Sequence, residues 1–264
     1  MNRNLANHLL SPLGLASVRR TPRPRFEETL RLLWPVGSPV QLVRLGGPQD
    51  GGYLIPDDLE GITHLFSPGV FDSWTFEGDL VAATGASAHL VECNEPPPGC
   101  PFPVERALLG GFTDGHRLGI DHWIESHAAV GEGDWILQMD IEGGEYEVIN
   151  GMSQHHLAQF RIMVIEVHRL ELLADAAWHD FVFRPFLEKL LTELVPIHLH
   201  ANNAAGMVNI HGTGVPKLLE ITLLRRDRLP VTTTPARLPH HLDTPNLPGV
   251  PDLRLRWPCA WSAN

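Results

Sequence analysis

The segment QMDIEGGEYEVI (residues 138–149) sets four carboxylates, Asp140, Glu142, Glu145 and Glu147, around the pair Gly143-Gly144. The apolar run Trp135-Ile136-Leu137, entered from Gly133, reads as a buried strand that ends at Asp140. The two glycines then break the strand ahead of a helix. In open α/β sheets ligands bind outside the carboxyl ends of the strands. Asp140 therefore stands where a ligand or a metal would be held. Glu145 and Glu147 fall in the first turn of the following helix, where negative charge is favoured by the helix dipole. Glu147 needs no role beyond that.

Two further strands end in groups of the same kind: Glu166 and His168, then His198, His200, Asn202 and Asn203. Side chains alternate faces along a strand, so Glu166 and His168 share a face, as do His198, His200 and Asn202. Adjacent parallel strands would bring these sets together with Asp140. Carboxylate, imidazole and amide oxygen suit a divalent ion such as Mg²⁺, Mn²⁺ or Fe²⁺. Asp140, His168 and His200 are the first ligands expected, with Glu166, Asn202 and His198 around them. Such a metal would lower the pKa of a hydroxyl. The metal-free alternative makes His168 or His200 a general base.

A third group reads as a binding site. SPGVFDSWTFE (67–77) is a strand-to-helix turn in which Ser67 and Gly69 let backbone approach a ligand. The next strand ends at Glu92, where an acid can take both hydroxyls of a ribose. The glycine triplet that would receive a pyrophosphate is absent, so the pattern favours an adenosine-type ligand. In DGGY (50–53), Asp50 and Tyr53 either contact that ligand, or Asp50 pairs with Arg44. Glu95, followed by prolines, is expected in a rigid loop near the adenine. Cys93 is expected to be a small buried residue, and His155-His156 to face solvent from a helix. His240-His241 are assigned no role.

These groups need a scaffold. Apolar strands at 62–66, 87–93, 135–140 and 161–168 alternate with helices at 73–85, 120–130, 145–159 and 176–194, the last with a kink expected at Pro185. Ser73 and Gly85 are the expected cap and stop of the first of these. VERALLGG (104–111) is a short strand and turn. The alternation predicts an α/β fold with a mostly parallel sheet and helices on both faces. Strands at 196–202 and 217–224, with no helix between, predict an antiparallel terminal strand. FEETLRLLW (26–34) has helical spacing. The division expected is an N-terminal arm and helix (1–40), a core (41–229) and a proline-rich tail (230–264) packed on the core. Trp257 and Trp261 would be costly to leave exposed there.

The chain has 264 residues and a net charge of −11, which argues against nucleic acid as partner. No apolar run is long enough to span a bilayer, and LLSPLGLA (9–16) reads as part of an arm, not a signal peptide. Three cysteines form no complete disulfide set and no zinc spacing, which fits a reducing cytoplasm. Nothing in the pattern excludes an oligomer.

The order of motifs resembles the FkbM-type methyltransferases. RLGGPQDGGYLI (44–55) is similar to the family's arginine–glycine–DGGY block, FSPGVFDSWTFE (66–77) to its block before the first core helix, and MDIEGGEYEVI (139–149) to its D-[IV]-E-G-[AG]-E signature. The likeness runs on through IEVHRL, HLHANN and PKLLEITLL, over roughly residues 40–225. It departs at Pro68-Gly69, where Phe-Gly is usual, and at Glu92, where Asp is common. The resemblance implies a class I methyltransferase (Rossmann-like) fold and S-adenosyl-L-methionine as cofactor. It implies O-methylation of a hydroxyl on a sugar, glycan or small natural product. Metal-dependent O-methyltransferases place ligands at the fourth and fifth strand tips, which Asp140 and Glu166 or His168 match. The rival readings are an idle sugar- or nucleotide-binding domain on the same fold, and a metal-dependent hydrolase or epimerase.

Overall fold

The computed structural model describes residues 17–231 and 233–257. The 9–16 stretch, Cys259 and Trp261 lie outside the described residues. The first helix, α1 (Arg23–Leu33), buries Phe26, Thr29, Leu30 and Leu33, the i, i+3, i+4, i+7 face of an amphipathic helix. A hairpin of β1 (Leu42–Leu45) and β2 (Tyr53–Pro56) follows, with DGGY at its turn.

The α/β part begins with β3 (Ile62–Pro68), α2 (Thr75–Thr84) and β4 (Ser87–Glu92), then the short strands β5 (Val104–Arg106), β6 (Leu108–Gly110) and β7 (Arg117–Gly119). It continues through α3 (Ile120–Glu125), β8 (Asp134–Met139), α4 (Glu145–Gly151), α5 (Gln154–Leu157) and β9 (Phe160–Val167). A 3₁₀ turn (Leu170–Ala174), α6 (Ala176–Trp178), a π turn (His179–Phe183) and α7 (Arg184–Glu193) lead to β10 (Leu194–Ala201). The hairpin β11 (Met207–Ile210) and β12 (Thr213–Pro216) precedes the last strand, β13 (Leu219–Arg225).

Seven strands form one sheet in the order β10-β13-β9-β8-β3-β4-β5. All neighbours from β9 to β5 are parallel, while β13 runs antiparallel to both β9 and β10. This is a mixed α/β architecture with a large, mostly parallel sheet. Every residue of β9 is buried, as expected for a strand covered on both faces. The antiparallel strand is last in the chain but not at the edge of the sheet. Because β13 lies between β9 and β10, the strands carrying His168 and His200 are not neighbours, which corrects the sequence expectation.

Smaller departures have local causes. Helix α2 starts two residues after Ser73, whose hydroxyl accepts from the backbone N–H of Thr75, and ends at Gly85 in the left-handed conformation (φ 72°). The helix expected over 145–159 breaks at Met152 and Ser153, where Asp121 accepts the backbone N–H of Ser153. Pro185 sits in the first turn of α7, where its missing N–H costs nothing; the irregular π turn precedes it. His156 is buried and faces Asp121 at 2.7 Å, against the expectation of a solvent face. In the tail, Trp257 is buried, donates to the Gly214 carbonyl (3.0 Å) and meets the Trp34 ring edge-on. Among the described residues no helix is long and apolar enough to cross a membrane.

The amino ends of the central strands are closed by ions. Arg161, buried at the start of β9, pairs with Asp134 (2.5 Å) and donates to the carbonyls of Asp58 and Glu60. Arg225 from β13 reaches the same Asp134 at 2.6 Å. These pairs hold the Asp134 carboxyl below its usual range despite its partial burial. Replacing Arg161 leaves Asp134 to Arg225 alone and strands the carbonyls of Asp58 and Glu60. Arg161→Ala is expected to cost roughly 2–4 kcal/mol, the cost of about two buried acceptors losing their donor, read as a lower urea midpoint with unchanged slope.

Candidate functional site

The carboxyl ends of β3, β4 and β8 meet around one glycine. Asp140 donates its backbone N–H to the Pro68 carbonyl (3.1 Å), and Gly69 donates to Val91 (3.0 Å). Gly69 has φ 90°, and a Cβ there would stand 1.6 Å from the Asp140 carbonyl oxygen. Only glycine allows this approach. It opens a cavity of about 210 Å³ whose wall includes Asp50, Tyr53, Gly69, Glu92 and Asp140.

Ser67 lies beneath that wall, fully buried. Its hydroxyl is 2.5 Å from Glu77 and 2.7 Å from Gln138, and Gln138 donates to the Tyr53 hydroxyl (3.2 Å). Burial raises the Glu77 pKa. A protonated Glu77 can donate to Ser67 while Ser67 donates to Gln138, so each buried group finds a partner. Glu77 and Gln138 also line the cavity, and sequence reasoning missed both. Their signal was weak: one sits inside a helix, the other inside an apolar strand.

Glu92 stands at the tip of β4. Its Oε1 accepts from the backbone and side-chain N–H groups of Asn94 (2.7 and 3.1 Å), leaving Oε2 available. Cys93 is exposed on the cavity wall, which corrects the expectation of a buried thiol; it follows the strand's last residue and turns outward. Glu95 pairs with Arg106. Arg44 does not pair with Asp50. It donates to the carbonyls of Gly47 and Gln49 and shapes the β1–β2 turn.

His168 follows β9 directly and is buried. Its Nδ1 lies 3.0 Å from Glu145, and its Nε2 faces Asp140 (3.6 Å) and Glu142 (3.3 Å). Glu145 is fully buried and also accepts the backbone N–H groups of Ile141 (3.2 Å) and Gly143 (3.0 Å). One carboxylate thus holds both the catalytic-looking loop and the imidazole. A carboxylate only accepts, so Nδ1 carries the proton and Nε2 is directed at the site. Burial works to lower the His168 pKa, but Glu145, Asp140 and Glu142 outweigh it and raise it. Burial pushes Asp140 up to about 7 against the pull of His168, with Glu145, Glu142 and Asp50 adding to the rise. The sequence places Glu145 in the acidic cluster around Gly143-Gly144 but does not show that it holds His168. Glu147 is an outer residue, paired with Arg117 at 2.6 Å.

The inserted β13 contributes Glu220, another residue that sequence reasoning left unassigned. Across the sheet Glu166 pairs in register with Glu220, and Glu220 with His200. Burial, then Asp140, Glu220 and Asp50, raise the Glu166 pKa well above the usual range. Asn202 donates to Glu166 (3.1 Å) and reaches Asp50 (3.4 Å); Asn246 from the tail donates to Glu220 (2.6 Å) and Asp50 (3.0 Å). His200 faces Glu220 (3.1 Å) and Asp252 (3.3 Å), while His198 faces Asp243 (2.9 Å).

Asp140, Glu166 and His168 therefore converge, each offering a ligand atom within 4.8 Å of the others. Asp50, Glu166 and Glu220 do the same. His198 and His200 do not join the first trio; a full strand separates β10 from β9, and tail carboxylates engage them instead. Asn202 reaches the cluster through its amide N–H groups.

His200 offers a pH test. Burial works to lower its pKa, but Glu220, Asp243 and Asp252 raise it to about 9, above its ordinary value of 6.5. The folded state then binds the proton more tightly than the unfolded one. That stabilisation is full below about pH 6.5 and is lost as pH rises through about 9. The melting temperature is expected to fall by several degrees over that window. His200→Gln, less stable at pH 6, should show a flatter decline.

Residues 118–194 match the family model described as Methyltransferase FkbM domain. The matched stretch runs from β7 to the end of α7 and contains Asp140, Glu145, Glu166 and His168. The chain has no match among curated proteins. The family that this model describes is the one that the sequence motifs resemble, and the match includes the Asp140–Glu145 motif.

Proposed function

We propose that the protein is a class I S-adenosyl-L-methionine-dependent O-methyltransferase, with the cofactor in the cavity formed by the ends of β3, β4 and β8. The observation that carries this reading is the close approach at Gly69, beside a strand-tip Glu92 with a free carboxylate oxygen. The strand order, with one antiparallel strand inserted between β9 and β10, supports the class I fold. Glu92 would take the ribose hydroxyls, Gly69 would admit the cofactor to the backbone, and Asp50, Tyr53 and Asp140 would line its amino-acid end. Ser67 supports the wall from beneath.

The bound cofactor supplies an electrophilic methyl on a sulfonium. Asp140 and His168 hold the acceptor hydroxyl in line with it. With the methyl passing to the acceptor oxygen and the sulfur leaving as a neutral thioether, the Asp140–His168 pair would take up the hydroxyl proton. Glu145 fixes the imidazole so that Nε2 faces the reacting oxygen. Alignment and proximity supply most of the rate gain, and the pair takes up the proton.

A divalent ion fits this site: Asp140 Oδ1 is buried without a hydrogen-bond partner, Glu166 is buried, and Glu145 orients His168 as a supporting carboxylate does behind a metal-ligating histidine. Asp140, Glu166 and His168 would hold it, and it would make the hydroxyl more acidic. Asn202 would then support the cluster through its bond to Glu166, and His200 through Glu220, with His198 held apart by Asp243.

The acceptor is proposed to be a sugar, a glycan or a small natural product. Residues 41–229 are the proposed catalytic core, preceded by an N-terminal arm and helix (1–40) and followed by a proline-rich tail (230–264). A cytoplasmic location remains the reading of the cysteine pattern.

S-adenosylhomocysteine should bind with low-micromolar affinity, roughly −8 kcal/mol, and Glu92→Ala should weaken it by about 1.5–3 kcal/mol. Calorimetry that detects no binding to folded protein would overturn the reading. His168→Ala should lower turnover by roughly a hundred- to ten-thousand-fold with cofactor affinity kept within a few-fold. Normal turnover in a folded variant would remove His168 from the mechanism. Full activity in excess EDTA would leave the metal-free version.

A further inference from the structure

A second depression, of about 310 Å³, lies on the other side of the Asp140–Gly144 loop. The first cavity touches Ile141, Glu142 and Gly144; the second touches Gly143. Its wall is unlike that of the first. Trp178 and Phe181 come from α6 and the π turn, and Arg169 comes from the residue after His168.

Phe181 is 81% exposed, and no ring contact engages it among the described residues. A large aromatic side chain held in water on a π turn needs an explanation. Such turns are irregular, and they are frequent at functional sites. Trp178 behind it is held against Tyr146 and Phe183, so that wall is rigid.

Arg169 is exposed and adopts φ 63°, left-handed backbone that a residue with a Cβ seldom takes. Its guanidinium makes no hydrogen bond or ion pair among the described residues, although Glu147 lines the same depression. Glu147 is already bound by Arg117. Glu142, on the same loop, faces His168. The depression therefore presents an uncommitted planar cation beside an exposed aromatic face, in a protein of net charge −11.

We propose that this depression receives the methyl acceptor, and that the acceptor carries a carboxylate or phosphate for Arg169 on or beside a ring that packs on Phe181. A guanidinium grips either anion through paired N–H donors. Tyr146, which lines the depression, donates its hydroxyl to the His168 carbonyl, so the depression abuts the residue proposed to take the proton. Arg169 is then a specificity-determining residue. The assignment of the ligand as acceptor rests on the methyltransferase reading; the anion preference does not.

The test uses para-nitrophenyl β-D-glucuronide, its uncharged match para-nitrophenyl β-D-glucoside, and para-nitrophenyl phosphate, titrated by saturation-transfer NMR at low salt. The charged probes should bind roughly three- to tenfold more tightly than the glucoside, as expected for a charge contact near solvent. The better of the two charged probes identifies the anion. Arg169→Gln should remove the preference, and Arg169→Lys should keep part of it. Phe181→Ala should weaken all three probes and retain the preference. S-adenosylhomocysteine affinity should stay within about twofold in every variant, since these residues line the other depression. Equal binding of glucuronide, phosphate and glucoside by the wild type, no binding of any charged probe at millimolar concentration, or a preference that survives Arg169→Gln would overturn the proposal. Failure of S-adenosylhomocysteine to bind would instead overturn the cofactor reading and leave the anion preference measurable.

Discussion

Carboxylates buried beside one another cannot all stay ionised, and that constraint organises the carboxyl edge of this sheet. Asp140, Glu166 and Glu220 are brought together by strand register, with Asp50 added from the β1–β2 turn. Each must gain a proton, a donor or a cation, because an unpaired buried charge is costly. The structure supplies donors wherever it can: Asn202 and Asn246 give amide N–H groups, His200 faces Glu220, and His168 faces Asp140. What remains is Asp140 and Glu166, both with raised pKa values, beside an imidazole, which is the setting acid–base chemistry at neutral pH needs.

Glu145 plays the opposite part. It is the most enclosed of these carboxylates, yet it accepts two backbone N–H groups and the His168 ring. Those bonds fix the loop after β8, including Glu142 in its left-handed conformation (φ 56°). The same loop separates the two depressions. Its position thus determines what lies on either side of it, the proposed cofactor on one and the proposed acceptor on the other. The ion pairs around Asp134 lie at the far ends of the same strands and leave this edge to the ligand groups.

The inserted strand β13 changes the logic of the histidines. Had β10 lain beside β9, His200 could have met His168 and Asp140. With β13 between them, at about 4.8 Å per strand, the two imidazoles serve separate partners. The tail completes the second set: Asp243, Asn246 and Asp252 close over β10 and β13. The proline-rich segment is therefore part of the polar network at this edge as well as an apolar cover through Trp257.

Much of the fold was legible in the sequence because its signals are local. Apolar runs four to eight residues long, separated by helical spacing and glycine stops, marked the strands that carry Glu92, Asp140 and His168. The placement of Asp140 at a strand tip followed from the apolar run after Gly133 and the stop at Gly143-Gly144. The β1–β2 and β11–β12 hairpins escaped notice because their strands are short. Pairing order was not legible at all. Nothing within KLLEITLL states that it enters between two earlier strands, so Glu220 could not be assigned, and His198 and His200 were drawn into the wrong company. Cys93 and His156 were misjudged for the same reason. Their burial and partners depend on elements distant in sequence, and only the packed sheet decides which side chains lose water together.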